Sequence, residues 1–132
     1  MLQHGLLDCS FSWFINLPDQ ALPYILADAG YDVWVTNNRG NKYSRKHTSF
    51  TPKYNSSDYW TFSWDEMAKY DVPGNVNFIK NVTGADSIHY VGHSQGTTQW
   101  FAHMSSFPQD KGMFKSFVGL GPVMYIEHMV NS

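Results

Sequence analysis

The chain has 132 residues, 42% of them hydrophobic, which suits one globular domain with a core and excludes a disordered chain. A net charge of −2, with 15% charged residues and no basic run, excludes a polyanion-binding field and so a nucleic-acid partner. No apolar run reaches the ~18 residues a membrane-spanning helix needs, and the single cysteine, Cys9, excludes an internal disulfide or a cysteine-based zinc cluster.

Met1–Gln3 reads as the tail of a strand, and "HGLLDCSFSWFINLPDQ" as a loop with a glycine turn. In "LPDQALPYILADAG", Leu22, Ile25, Leu26 and Ala29 share one helical face and Gly30 ends the helix. Tyr31–Thr36, rich in β-branched and aromatic residues, predicts a strand. Asn37–Ser57 is polar and turn-rich, a long loop of the kind that is often functional. Its Arg39, Lys42, Arg45 and Lys46 read as solvated or structural rather than as an anion site. "SWDEMAKYD" predicts a short helical turn, with Asp65 and Glu66 on a solvated face. Asp71 is then expected to cap a helix carrying Val72, Val76, Ile79 and Val82 and stopped by Gly84, with Pro73 tolerated near its start. Ser87–Gly92 predicts a strand, Gln95–Ser106 a helix with Phe101 and Met104 near the face of Thr97, and Phe114–Val123 a third strand ending in a Gly-Pro loop. "MYIEHMVNS" predicts the start of another helix. Strands alternating with helices imply crossover units, hence an α/β class with a mostly parallel sheet and flanking helices.

The chemistry centres on Gly92-His93-Ser94-Gln95-Gly96. A Gly-x-Ser-x-Gly turn between a strand and a helix is a nucleophile elbow. The turn is so sharp that the serine hydroxyl stands clear at the carboxyl end of the sheet. Gly92 and Gly96 keep side chains out of the close approach of strand and helix. The N–H of Gln95, at the positive start of the helix, is the first expected oxyanion donor. A second donor is expected from a His-Gly loop after an earlier strand. His4-Gly5-Leu6-Leu7 stands there, although an ordinary loop explains that spacing equally well; beside the elbow, the Leu6 N–H is the expectation. Ser94 is the catalytic candidate. No metal-ligand spacing or phosphate-cradling pattern occurs, so no metal and no cofactor are expected.

"LQHGLL", "NLPDQALPYILADAGYDVWVTNNRGN", "FSWDEMAKYDVPGNVNFIKNVTG" and "HYVGHSQGTT" together resemble the acid lipase family of gastric and lysosomal lipases and sterol esterases, within the α/β-hydrolase fold. The likeness runs in order over nearly all of Leu2–Val123. It implies a lipase hydrolysing triacylglycerol or sterol esters in lipid catabolism, with Ser94 as nucleophile and Gln95 and Leu6 as backbone donors. It also implies a lipid ester substrate, a transient lipid-interface contact and a secreted or lysosomal location. One departure is Thr36, where the family segment before "NNRGN" usually has glycine. Two glycosylation tripeptides, at Asn55 and Asn81, agree weakly with a secretory route, while Met1–Trp13 does not read as a signal peptide.

An elbow hydrolase draws its acid and base from later in the chain. After Ser94 the chain offers only His103, Asp110, Glu127 and His128, and none of them sits at the end of a later strand, where it could reach the cleft. His103 is expected to face solvent or a neighbouring helix. His4, His89 and His93 precede the serine. The resemblance puts the acid and base in a C-terminal part, and the strand at Met1–Gln3 between Tyr31–Thr36 and Ser87–Gly92. The expectation is therefore a partial α/β-hydrolase domain over 1–132, an incomplete fold without N-terminal strands or the Asp- and His-bearing part. A thioesterase or acyltransferase, and a non-catalytic α/β-hydrolase fragment, stand as alternatives.

Overall fold

The computed structural model describes residues 1–50 and 57–127. Three parallel strands form its sheet in the order β1 (Leu2–Gln3), β2 (Ile88–His93), β3 (Phe114–Leu120). Leu2 faces Val91 and Gln3 faces Gly92, while Gly92 faces Gly119 and His93 faces Leu120. On its other side β1 meets Val35 through a single bridge, with Leu2 N–H donating to Trp34 O at 2.7 Å and Thr36 N–H to Leu2 O at 3.1 Å. The strand expected over Tyr31–Thr36 is thus paired only where β1 reaches it. Tyr31–Val33 have no neighbouring strand among the described residues to complete a ladder. The inferred placement of β1 between this segment and β2 holds.

The helices are α1 (Leu22–Asp28), α2 (Trp64–Glu66), α3 (Val72–Thr83) and α4 (Gln95–Ser106). Past the end of α1, Gly30 takes a left-handed φ of +88°, and α4 has the bounds its sequence predicts. The start of α3 differs from expectation. Asp71 does not cap it; a π-helical turn over Met67–Asp71 joins α2 to α3 without a break, and the Val72 N–H donates to Met67 O, five residues back. The wide turn ends just before Pro73. That proline lacks the N–H that Lys69 O would receive, and its ring would crowd this carbonyl in a tight helix. The N-terminal cap lies earlier, at Ser63. Its hydroxyl accepts from Asp65 N–H, while Glu66 reaches back to accept from Ser63 N–H at 2.7 Å. The Ser63 N–H first, then the N–H of Glu66 itself and the Ser63 hydroxyl, hold the Glu66 carboxyl below its usual range.

One sheet face is covered. Val72, Val76 and Ile79 of α3 pack with Met1, Ile88 and Tyr90, and Trp34, Trp100, Met113, Phe114 and Phe117 close around them. Burying each such aliphatic side chain contributes about 1.5–3 kcal/mol. Trp100 of α4 stacks on Phe117 of β3 at 4.0 Å between ring centres. The buried face of α4 carries Gly96, Thr97, Thr98, Gln99 and His103; Phe101 and Met104 are half-buried. The third strand ends at Leu120, three residues before the sequence estimate, where Gly121 turns with φ +56°. Met124–Glu127 are not helical, and the rest of the helix expected there, His128 included, lies outside the described residues, as does the tripeptide asparagine Asn55. Asn81 is exposed on the last turn of α3. No helix among the described residues is long and apolar enough to cross a membrane.

Candidate active site

Ser94 stands between β2 and α4 with φ +50° and ψ −118°. A non-glycine residue rarely adopts a left-handed φ, and holding one there costs on the order of 1–3 kcal/mol. Several contacts fix it. The Ser94 N–H donates to Leu120 O at 2.9 Å, extending the ladder with β3. Ser94 O accepts from the Thr97 N–H at 2.9 Å and the Thr97 hydroxyl at 2.6 Å. The Thr97 hydroxyl oxygen also accepts from Val123 N–H, and the Thr98 hydroxyl donates to Val123 O, both at 2.8 Å. The loop after β3 is thereby sewn to the first turn of α4.

The two glycines of the turn are contact points between backbones. A Cβ on Gly92 would stand 2.8 Å from Gly96 C, and one on Gly96 would stand 2.6 Å from Gln3 O and 2.9 Å from His4 O. No side chain fits at either place. The buried Tyr90 hydroxyl donates to Gly96 O at 2.8 Å, and burial pushes this phenol well above its usual range.

The end of β1 brings the His-Gly loop to the serine. A Cβ on Gly5 would lie 3.2 Å from Ser94 Cβ and 3.2 Å from His93 Nδ1. Beyond it Leu6 is 59% exposed, and Leu7 is 99% exposed with a left-handed φ of +55°. Leu6 and Gln95, the latter the first residue of α4, line one cleft of about 710 Å³. Leu7, Trp60, Phe62, Trp64 and Met67 supply most of its apolar wall. Trp60 and Phe62 lie where Gly40, with φ +83°, leaves room: a Cβ there would come within 2.7 Å of the Phe62 ring. Ser94 itself lines neither this cleft, which reaches the serine turn at Gly5 and Gln95, nor a second hollow of about 670 Å³ bounded by Tyr31, His89 and Ser116.

Beneath the cleft, polar residues interlock. Thr36, the departure from the family glycine, is buried, with its hydroxyl 2.7 Å from Gln3 Oε1, and Gln3 Nε2 donates to Asn38 Oδ1 at 3.0 Å. Asp71 holds the neighbouring turn instead of capping a helix. It accepts from Arg39 N–H at 3.0 Å and Arg39 Nε at 2.9 Å, with the guanidinium NH2 at 2.8 Å. Arg39 is thus a structural member of the basic cluster.

Among the described residues no hydrogen bond joins a histidine to the Ser94 hydroxyl. His103 is buried between α4 and the π turn, with Nδ1 2.9 Å from Ala68 O. Its Nε2 lies 3.3 Å from Asp110 Oδ2 without hydrogen-bond geometry. This imidazole–carboxylate pair is nine residues along α4 from Ser94, roughly 13 Å at 1.5 Å per residue. His89 meets Ser116 Oγ at 2.7 Å, and His93 is exposed with Trp13 edge-on at 6.4 Å. His4 is committed to Gly5 O and Asn38 N. Among the described residues no His, Cys, Asp and Glu group could hold a metal.

A parallel sheet whose middle strand runs through Gly-x-Ser-x-Gly into a helix, with a glycine loop from the adjoining strand against the serine, is the elbow architecture of α/β hydrolases. A family model described as alpha/beta hydrolase fold matches residues 1–130, and the chain belongs to that family. It is 50% identical over 127 residues to gastric triacylglycerol lipase of Rattus norvegicus, covering 96% of this chain and 32% of that protein. It is 52% identical over 122 residues to the lysosomal acid lipase/cholesteryl ester hydrolase of Homo sapiens, covering 92% and 30%. It is 50% identical over 127 residues to lipase member K of Homo sapiens, covering 96% and 31%. The chain spans about a third of the length of the curated relatives it matches.

Proposed function

We propose that this chain carries the nucleophile and oxyanion elements of a lipase-type serine ester hydrolase acting on triacylglycerol or sterol esters in lipid catabolism. The observation that carries the reading is the left-handed Ser94 at the strand–helix turn, with Gly5 packed against its Cβ. Ser94 Oγ attacks the ester carbonyl as a histidine takes its proton. The backbone N–H groups of Gln95 and Leu6 hold the oxyanion, the alcohol leaves with a proton from that histidine, and water releases the acyl group. In the elbow architecture the acid and the histidine follow the serine in chain order. The apolar cleft beside Gln95 takes a hydrocarbon part of the substrate. Leu6, Leu7, Phe11, Ile15 and Leu17, all exposed, offer apolar surface for transient contact with a lipid surface. The names of the gastric and lysosomal relatives, and the exposed Asn81 tripeptide, support a secreted or lysosomal location.

The test is labelling of the full gene product with a fluorophosphonate, followed by peptide mapping and a panel of emulsified triacylglycerol, sterol ester and acyl thioester. Modification at Ser94 with turnover of the oxygen esters is expected. An unmodified Ser94, under conditions that label a control esterase, sinks the reading, and turnover of the thioester alone replaces it with a thioesterase.

A further inference from the structure

His4 follows directly on β1 with only 2% of its surface exposed, and its ring meets three polar groups. Nδ1 lies 2.9 Å from Gly5 O, and Nε2 lies 3.1 Å from Asn38 N and 3.2 Å from Asn41 Nδ2. These neighbours fix the tautomer. A backbone N–H only donates, so Nε2 must present its lone pair to Asn38. A neutral imidazole then has its one N–H at Nδ1, and that N–H donates to the Gly5 carbonyl. A cationic ring would set a second N–H against the Asn38 N–H. Burial, first among the causes, holds His4 below the usual histidine range and keeps it neutral.

The Gly5 carbonyl and the Leu6 N–H belong to one trans peptide group, in which they point in opposite directions. Whatever fixes the carbonyl therefore fixes the N–H. Glycine is the residue least able to hold this peptide plane by itself, and Gly5 lies directly against the root of the Ser94 side chain. We propose that His4 is a positioning residue for the oxyanion site: its Nδ1–H grips Gly5 O and so aims the Leu6 N–H, while Asn38 and Asn41 hold the ring and its tautomer through Nε2. The proposal rests on the reading of Ser94 as nucleophile and Leu6 as donor.

Two substitutions divide the two halves of the ring. His4→Asn keeps an amide donor near Nδ1 and loses the Nε2 acceptor. His4→Gln keeps an acceptor near Nε2 and loses the donor to Gly5 O. In the full gene product, turnover of a soluble p-nitrophenyl ester should fall in His4→Gln by about 10²-fold in kcat, the cost of losing one oxyanion donor, with KM changed less than about threefold. His4→Asn should keep kcat within about tenfold of the unsubstituted protein. If His4 merely anchored the turn at Asn38–Asn41, the order would reverse. A His4→Gln protein with kcat within threefold of the unsubstituted one, or one matching or exceeding His4→Asn, overturns the proposal. Should either variant fail to fold, the ¹⁵N shifts of the His4 ring in the unsubstituted protein decide: protonated Nδ1 with bare Nε2 supports the proposal, and the opposite tautomer overturns it. Labelling of the unsubstituted protein separates the two failures. An unlabelled Ser94 defeats the hydrolase reading itself, whereas a labelled Ser94 with a fully active His4→Gln variant defeats only the role of His4.

Discussion

Replacing Gly96 with alanine tests how closely the serine turn is built against β1. The new Cβ would stand 2.6 Å from Gln3 O and 2.9 Å from His4 O. Both are main-chain oxygens of buried residues, Gln3 in β1 and His4 just past it, so no side chain can swing aside. Ordinary van der Waals separations are about 3.5 Å, and the first turn of α4 or the end of β1 must therefore move by roughly 0.5–1 Å. Overpacking of this kind costs about 1–3 kcal/mol, and a methyl forced onto backbone belongs at the upper end. The same displacement separates Gln95 from the Gly5–Leu6 peptide, and misplacing catalytic groups by about 1 Å costs on the order of 10² in rate. Gly74→Ala is the control. It lies on α3 with no atom within 4 Å of its Cβ position, and alanine in a helix is favoured over glycine by about 0.5–1 kcal/mol. Urea unfolding and p-nitrophenyl ester hydrolysis of the full gene product should show Gly96→Ala both weaker and slower, and Gly74→Ala neither. A Gly96→Ala protein that unfolds at the unsubstituted midpoint and hydrolyses within threefold of its rate refutes the reasoning.

Ser94→Gly should abolish labelling yet raise stability by about 1 kcal/mol, because glycine adopts a left-handed φ without strain; an unchanged or lower urea midpoint contradicts the assignment of strain to this residue. Asp71→Ala should destabilise by about 1–3 kcal/mol by leaving the Arg39 guanidinium and N–H without their acceptor, read as a shift in the same midpoint. For His4, whose neutral form the fold prefers, the contribution to stability is complete above its ordinary pKa of 6.5. It is lost as pH falls through the lower folded value, since the unfolded chain takes up a proton that the folded one refuses. The difference in unfolding free energy between unsubstituted and His4→Asn proteins should therefore shrink below pH 6.5, and a pH-independent difference contradicts the neutral tautomer.

The parts legible in the sequence are those fixed by local backbone rules. The elbow demands glycines two residues either side of Ser94, and the contacts at Gly92 and Gly96 give the reason. The bounds of α4 and the stop at Gly84, with φ +73°, follow from equally local signals. What escaped depends on partners far away in the chain. Asp71 has the look of a helix cap, but the guanidinium of Arg39, 32 residues earlier, takes its carboxylate. The π turn has no residue pattern of its own, and Pro73 was its one hint. Tyr31–Val33 have strand composition, yet a strand needs a neighbour to pair with. Leu7 could not be found from sequence, because nothing about a leucine announces a left-handed backbone. The buried His103 beside Asp110 imitates a catalytic pair, and only the distance along α4 removes it from consideration.

These contacts make the candidate site a property of main chain more than of side chains. Three segments meet at Ser94: the loop after β1, the end of β2 and the start of α4, and the turn from Thr36 to Asn41 is bonded to the end of β1 beside them. At Gly92, Gly96 and Gly5 the segments touch with no side chain between them, so displacing any one moves the others. Polar side chains tie the segments further, through Thr36 to Gln3, Gln3 to Asn38 and His4 to both Gly5 and Asn38. The loop after β3 joins by way of Thr97, Thr98 and Val123. Under the proposed function, the oxyanion donors Gln95 and Leu6 are held in this way and need no rearrangement when charge develops, which is where electrostatic catalysis gains most. The apolar wall of Trp60, Phe62 and Trp64 adjoins the arrangement through Gly40, the Arg39–Asp71 pair and the packing of α2 against α4. Substitutions there should alter substrate preference before they alter the chemistry at Ser94.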